Sequence, residues 1–265
     1  GNEQARETKP RLSVNGDRVP FEHEIELRNI DFAYSTARAP VLDHFHLTIL
    51  RNSTIALVGS TGAGKTTIVD IILGLLEPQR GSLLVDGRPI TSANVMAWQK
   101  RLGYVPQHIY LADDSLTANI AFGVPPKQVQ MDRVWRAAQI AKLHEFVLAE
   151  LPGGYDTMVG ERGVKLSGGQ RQRIGIARAL YSDPDVLILD EATSALDGIT
   201  EDAVTDALQV LFHAKTIIMI AHRLGTVKHA DRIYLLESGR VTEAGTYEEL
   251  LDRSEVFRAM AQVSH

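Results

Sequence analysis

From Glu24 to Tyr34, apolar and polar residues alternate (Ile25, Leu27, then Ile30, Phe32, Tyr34), with one break of phase near Asn29. That pattern predicts a half-buried strand with an irregularity in it. Val41–Ile49 alternates in the same way, and Thr54–Val58 is a short apolar run that stops at Gly59. Thr66–Gly74 carries apolar residues on nearly every face, which predicts a helix buried all round and ending near Gly74 and Pro78. Ser82–Val85 followed by Asp86-Gly87 predicts a strand and a turn, and Arg101–Val105 another short strand. Between Leu116 and Tyr181 the period becomes helical: Asp132 is expected to cap a helix carrying Val134, Ala137, Ala138, Ala141 and Leu143, and Pro152-Gly153-Gly154 opens a loop. Val186–Leu189 and Thr216–Ala221 are continuous apolar strands, the kind found in parallel sheets covered on both faces. Ile233–Leu236, Ser238-Gly239 and Arg240–Glu243 predict a hairpin, and Tyr247–Gln262 one terminal helix.

This order predicts an α/β core with an antiparallel β flank and a mainly helical subdomain over about residues 106–181. Residues 1–20 are polar and rich in charge, and are expected to be a linker or an expression remnant. The remaining residues, 21–265, are expected to form one domain. The composition narrows the function. The chain of 265 residues carries 28 Lys+Arg against 33 Asp+Glu, a net charge of −5, which argues against nucleic acid as the partner. With no cysteine, disulfides, thiolate metal sites and thiol nucleophiles are excluded. No apolar run approaches the roughly 20 residues of a membrane helix.

Three motifs carry chemistry. Gly59-Ser60-Thr61-Gly62-Ala63-Gly64-Lys65-Thr66 matches G-x-x-x-x-G-K-[ST] between a predicted strand and a predicted helix. Its glycines let backbone N–H groups close around phosphate oxygens, and the helix N-terminus adds favourable partial charge. Lys65 is placed to reach the β- and γ-phosphates, and the Thr66 hydroxyl to take a Mg²⁺ position. Val186–Leu189 delivers Asp190 and Glu191 at a strand end. Asp190 can orient Mg²⁺ or its waters, and Glu191 can act as general base on the attacking water. In Leu166-Ser167-Gly168-Gly169-Gln170, Ser167 and Gln170 have capping-box spacing. Spacing alone fits a well-capped helix and a second phosphate site equally.

Gly59–Thr67, Gln107, Leu166–Gln170, Leu187–Glu191, Ser194-Ala195-Leu196-Asp197 and His222 stand in the order and setting of ABC transporter nucleotide-binding domains. The resemblance covers about Glu24 to Ala261, and the pentapeptide together with the phosphate loop is highly specific. It implies a P-loop NTPase core whose helical subdomain carries the signature pentapeptide. It further implies an ATP- and Mg²⁺-dependent motor that works as a dimer. Each ATP would lie between the phosphate loop of one subunit (Gly59, Ser60, Thr61, Gly62, Ala63, Gly64, Lys65, Thr66, Thr67) and the pentapeptide of the other (Ser167, Gly168, Gly169, Gln170). By the same resemblance Tyr34 stacks on adenine, Gln107 senses Mg²⁺ and the membrane partner, Asp197 communicates across the dimer, and His222 contacts the γ-phosphate. Catalysis would rest on Glu191, His222 and Lys65, and the metal on Thr66, Gln107 and Asp190.

Leu151–Thr157 and Val159-Gly160-Glu161-Arg162-Gly163 resemble exporter-type members, in which the latter segment meets the coupling helices of the membrane domain. The expectation is therefore the C-terminal ATPase domain of an exporter or flippase half-transporter. It would work as a homodimer or pseudo-symmetric heterodimer at the cytoplasmic face of a membrane, the inner or plasma membrane in a bacterium. The alternatives are a free-standing importer ATPase subunit and a non-transport ABC ATPase. A regulatory module that holds nucleotide without hydrolysing it is disfavoured by the presence of Lys65, Glu191 and His222.

Overall fold

A computed structural model describes residues 19–35, 39–192, 198–221 and 224–263. Strands β1 (Glu24–Phe32), β2 (Leu42–Leu50) and β3 (Thr54–Gly59) precede helix α1 (Lys65–Ile72). Then come β4 (Arg80–Val85), β5 (Arg88–Pro89), α2 (Val95–Gln99) and β6 (Leu102–Val105). A helical stretch holds α3 (Leu116–Ile120), α4 (Met131–Ile140), α5 (His144–Glu150) and α6 (Gly168–Tyr181). β7 (Val186–Asp190), α7 (Gly198–Gln209), β8 (Thr216–Ile220), β9 (Arg232–Glu237), β10 (Arg240–Gly245), α8 (Tyr247–Arg253) and α9 (Glu255–Val263) follow.

Two sheets result. One is antiparallel, in the order β2-β1-β4-β5. The other runs β10-β9-β3-β8-β7-β6, parallel throughout except for β10 at its edge. The expected α/β core with an antiparallel flank is therefore present. The break of phase at Asn29 is a bulge: the pairing of β1 shifts on either side of Ile30, and Asn29 takes φ 52°. The extra residue returns Ile30 and Phe32 to the buried face.

The mainly parallel sheet divides the core in two. Ile55 and Leu57 of β3, Val186 and Ile188 of β7, and Ile218 and Ile220 of β8 face α1, Trp98 and the antiparallel sheet. Their neighbours Ala56, Val58, Leu187, Leu189, Ile217 and Met219 face the other way, into a cluster shared with helices α3 to α9. Strands apolar at every position are what burial on both faces demands.

Several local expectations are corrected. Asp132 does not cap α4: Gln130 holds that position without a side-chain bond, and Asp132 lies in the first turn. A negative charge there still complements the helix N-terminus. The terminal helix is two helices, because Ser254 leaves helical geometry (φ −99°, ψ 114°). Its hydroxyl accepts from Phe257 N at 3.1 Å and donates to Glu243 at 2.7 Å, which starts α9 in a new direction. Helix α2 has too short an apolar period to be read from sequence. Its Trp98 is fully buried, and the indole N–H donates to Ile72 O at 2.8 Å, closing the C-terminus of α1. Of the expected linker, only Val19 and Pro20 lie within the described residues.

The Asp86-Gly87 turn joins β4 to β5 with φ 49° and 74°, the positive pair a tight hairpin requires. The Asp86 carboxylate also accepts backbone N–H bonds from Glu22, His23 and Glu24 at 2.6, 2.8 and 2.9 Å. Partial burial works against its charge, but these bonds outweigh that and hold its pKa below the ordinary carboxylate value. The stability it adds is present above the ordinary value and is lost as pH falls through the folded one. Asp86→Asn should lower unfolding free energy by ~1 kcal/mol at pH 7. Denaturant titrations should show that deficit shrinking below about pH 4.

Candidate nucleotide-binding site

β3 is an inner strand, flanked by β8 and β9, and it delivers the phosphate loop to the middle of the sheet edge. Gly59 admits no side chain, since a Cβ would lie 2.4 Å from the Leu236 carbonyl oxygen. Gly64 ends the loop at φ 104° and precedes α1, where a Cβ would lie 2.9 Å from Leu42. Both constraints pull the backbone into a tight concavity at a helix N-terminus. Lys65 is only 5% exposed, and its Nζ donates to Gly59 O at 2.6 Å and Ser60 O at 3.0 Å. Burial lowers the pKa of this ammonium, and the charges of Glu191 and Asp190 oppose the drop.

The carboxylates arrive on β7, where Asp190 pairs with Ile220 of β8. Glu191 follows at φ 49°, its N–H donating to Ile220 O at 3.0 Å. Gln107 Nε2 donates to Glu191 Oε2 at 2.7 Å, so the loop after β6 touches the candidate base directly. Tyr104, on β6, donates its hydroxyl to Asp190 Oδ2 at 3.1 Å. Asp70 on α1 completes the acidic group: burial raises its pKa, and the charge of Asp190 adds to that. Among the described residues the Lys65 ammonium thus faces two carboxyl groups, Asp190 and Glu191, and Asp70 lies near Asp190, a concentration of acidic groups that suits a divalent cation. The Thr66 hydroxyl, the Gln107 amide oxygen and Asp190 are all oxygen donors, the set that Mg²⁺ prefers.

Tyr34 lies beside the loop, its hydroxyl 3.1 Å from Thr67 Oγ1 and its ring edge-on to Phe32 at 5.0 Å. At 42% exposure the ring is not a core residue. Ser167 caps α6: its hydroxyl accepts from Gln170 N at 3.1 Å, and the Gln170 side chain accepts from Ser167 N at 2.8 Å. The structure therefore gathers Tyr34, Gly59–Thr67, Gln107, Asp190 and Glu191. Among the described residues no hydrogen bond joins Ser167–Gln170 to that group. Leu166 packs on the cluster shared by α3 to α9, whereas Ala63 belongs to the opposite one. Asp197 and His222 lie outside the described residues.

Tyr104 and Asp70 were not found from sequence. Asp70 left a signal, being four residues after Thr66 and so on the same helix face. Tyr104 needed the neighbourhood of β6 and β7, which no local pattern reveals. Elsewhere, donor atoms of Asp31, Asp43 and His44 lie within 4.8 Å of one another, but Arg240 already pairs with Asp43. Among the described residues no helix is long and apolar enough to cross a membrane.

Comparison with known proteins agrees with this geometry. The family model described as ABC transporter matches residues 42–194. An ATP-dependent lipid A-core flippase of Alkalilimnicola ehrlichii is 44% identical over 241 residues, 90% of this chain and 40% of that protein. The heterocyst differentiation ATP-binding protein HepA of Nostoc is 41% identical over 245 residues, 92% of this chain and 40% of that one. A solved bacterial Atm1-family ABC exporter with ATP bound superposes with a TM-score of 0.85 at 36% identity, covering 95% of this chain and 44% of that chain. The chain thus spans about 40% of the length of the curated relatives it matches. With its phosphate loop, strand-end carboxylates and mixed sheets in this arrangement, the chain belongs to the ABC transporter family and has the fold of its ATPase domain.

Proposed function

We propose that this chain binds and hydrolyses ATP to drive an exporter or flippase, as half of a dimer at the cytoplasmic face of a membrane. The observation that carries the reading is the buried Lys65 ammonium at the phosphate loop, faced by Asp190 and Glu191, with Gln107 bonded to Glu191. Magnesium, when bound, neutralises phosphate charge and orients phosphate oxygens. Thr66, Gln107 and Asp190 would hold it. Lys65 and the loop N–H groups would bind the β- and γ-phosphates. Glu191 would take the proton from water as the water oxygen bonds to the γ-phosphorus and the bond to the β-phosphate oxygen breaks. Gln107, by donating to Glu191, holds that carboxylate in place for the transfer. His222 would contact the γ-phosphate, and Asp197 would signal across the dimer.

The names of the relatives favour export or lipid flipping over import, and the Glu161-Arg162-Gly163 segment supports the same choice. Arg162 N donates to Asp113 at 3.1 Å, which fixes this segment beside a groove of about 440 Å³ lined by Tyr110, Leu111, Glu161, Lys165 and Arg171. Coupling helices of a membrane domain would dock there.

Three outcomes test the proposal. Lys65→Ala should abolish ATP binding or turnover with an unchanged circular dichroism spectrum; hydrolysis at the parental rate would refute the site. Tyr34→Ala should weaken ATP binding by about 1–3 kcal/mol, by analogy with base–aromatic stacking, while Tyr34→Phe binds like the parent. Equal affinity for Tyr34→Ala and parent removes Tyr34 from the base site. Glu191→Gln should slow hydrolysis by about 10²–10⁴-fold while keeping ATP binding. Light scattering after size exclusion should then find it dimeric with Mg²⁺-ATP. Adding Ser167→Arg, which crowds the partner's γ-phosphate, should return it to monomer.

A further inference from the structure

We infer that Gly239, in the turn between β9 and β10, is a positioning residue for the phosphate loop: its N–H biases the Ala63–Gly64 peptide toward the orientation that presents the Gly64 N–H to phosphate. This rests on the proposed binding of the β- and γ-phosphates by the loop, and extends it to a hairpin turn far away in sequence.

The geometry starts from that hairpin. Glu237 pairs with Arg240, so the turn has two residues, Ser238 at φ 49° and Gly239 at φ 74°, the positive pair of a tight hairpin. The Gly239 N–H donates outside the hairpin, to Ala63 O at 3.1 Å. Gly239 is also boxed in: a Cβ there would collide with Val41 O. Val41 and Leu42 border the loop as well, since a Cβ on Gly64 would lie 2.9 Å from the Leu42 side chain and 3.4 Å from Val41 O. An ion pair between Arg240 and Asp43 joins β10 to β2 beside these contacts. Turn, loop and the start of β2 are thus packed backbone against backbone.

A trans peptide unit is planar, and its C=O and N–H point in opposite directions. With Ala63 O held by the turn, the Gly64 N–H points away from the turn. Among the described residues it has no hydrogen-bond partner, and it stands next to Lys65 at the start of α1, where donors suit an anion. The adjoining peptides have bonds of their own: Ala63 N donates to Ser60 O at 3.1 Å, and Ile68 N to Gly64 O at 3.0 Å. For the unit between them, the bond from Gly239 is the one hydrogen bond among the described residues. A flip of that unit changes ψ of Ala63 and φ of Gly64, and glycine accepts either sign of φ. After a flip, a carbonyl oxygen would face the phosphate in place of a donor. By disfavouring the flip before nucleotide arrives, Gly239 keeps the binding-competent population high, and apparent affinity scales with that population.

The test uses the 265-residue chain made by cell-free translation with glycolic acid in place of Gly239. The resulting ester lacks the N–H, adds no side chain, and sets an oxygen against Ala63 O. Affinities for Mg²⁺-ATP and Mg²⁺-ADP should both fall about three- to tenfold, the scale of one net hydrogen bond, with an unchanged circular dichroism spectrum. Glycolic acid in place of Gly87, in the matching Asp86-Gly87 turn, should leave both affinities parental. In the isotope-labelled parent without nucleotide, NMR should show a scalar coupling across the hydrogen bond from Gly239 N to the Ala63 carbonyl carbon. Parental affinities in the Gly239 ester, an equal loss in the Gly87 ester, or absence of that coupling overturns the role of Gly239, while Lys65→Ala still loses ATP binding or turnover. Parental ATP binding and hydrolysis in Lys65→Ala overturns the phosphate-loop reading, and this inference with it.

Discussion

A buried ammonium sets the terms for the site. Taking Lys65 out of water costs several kcal/mol unless other groups replace its hydration. Two of those groups are carbonyl oxygens of the loop that Lys65 itself closes, Gly59 and Ser60. The loop can bring those carbonyls inward only because Gly59 lies against the Leu236 backbone and Gly64 takes a left-handed φ. The remaining compensation comes from the charges of Glu191 and Asp190, which belong to a different strand. Loop shape, lysine charge and the register of β7 are therefore one problem. A slip of one residue in β7 would send its alternating side chains to the opposite faces and carry Asp190 away from the lysine.

The mainly parallel sheet holds that register, and it also separates the phosphate loop from the Ser167–Gln170 cap. α1, which begins at Lys65, packs on one face with the antiparallel sheet. α6, which begins after Ser167, packs on the other with the helices. Between them, β6 and its following loop supply Tyr104 and Gln107 to the carboxylates of β7. Gln107 is three residues beyond Tyr104, and Tyr110 three further, at the groove of the helical side. A displacement at that groove has a short covalent route to the bond on Glu191.

Much of this was legible in the sequence because it follows from local rules. The bulge at Asn29 showed as a break of phase, the parallel strands as unbroken apolar runs, and the cap of α6 as Ser and Gln at the right spacing. The phosphate loop and the strand-end carboxylates showed because each is a short run of fixed residue types at the end of an apolar strand. What escaped depended on tertiary neighbours. Trp98 makes sense only against the end of α1, and Tyr104 only beside β7. Ser254 looks like an ordinary helix residue until Glu243 is brought to its hydroxyl. In each case a polar atom finds its partner on an element that is distant in sequence or joined by a turn the pattern does not specify.

The two readings of Ser167–Gln170 that spacing left even turn out to be compatible. A capping box satisfies the N–H groups of the cap residue and of the third helical residue, here Ser167 and Gln170. Four N–H groups at a helix start lack partners within the helix, and the box answers only part of that need. Gly168 and Gly169 supply the first two helical N–H groups, and with no side chains they let an anion approach the backbone. The Ser167 hydroxyl accepts in the box and so keeps its own proton to donate. The cap thus fixes the direction of the remaining donors and does not use them up. Since α6 packs on the face of the sheet opposite α1, the phosphate loop of the same chain is poorly placed to answer these donors. An anion presented by a second copy, as in the proposed ATP-bound dimer, is the arrangement that would satisfy them.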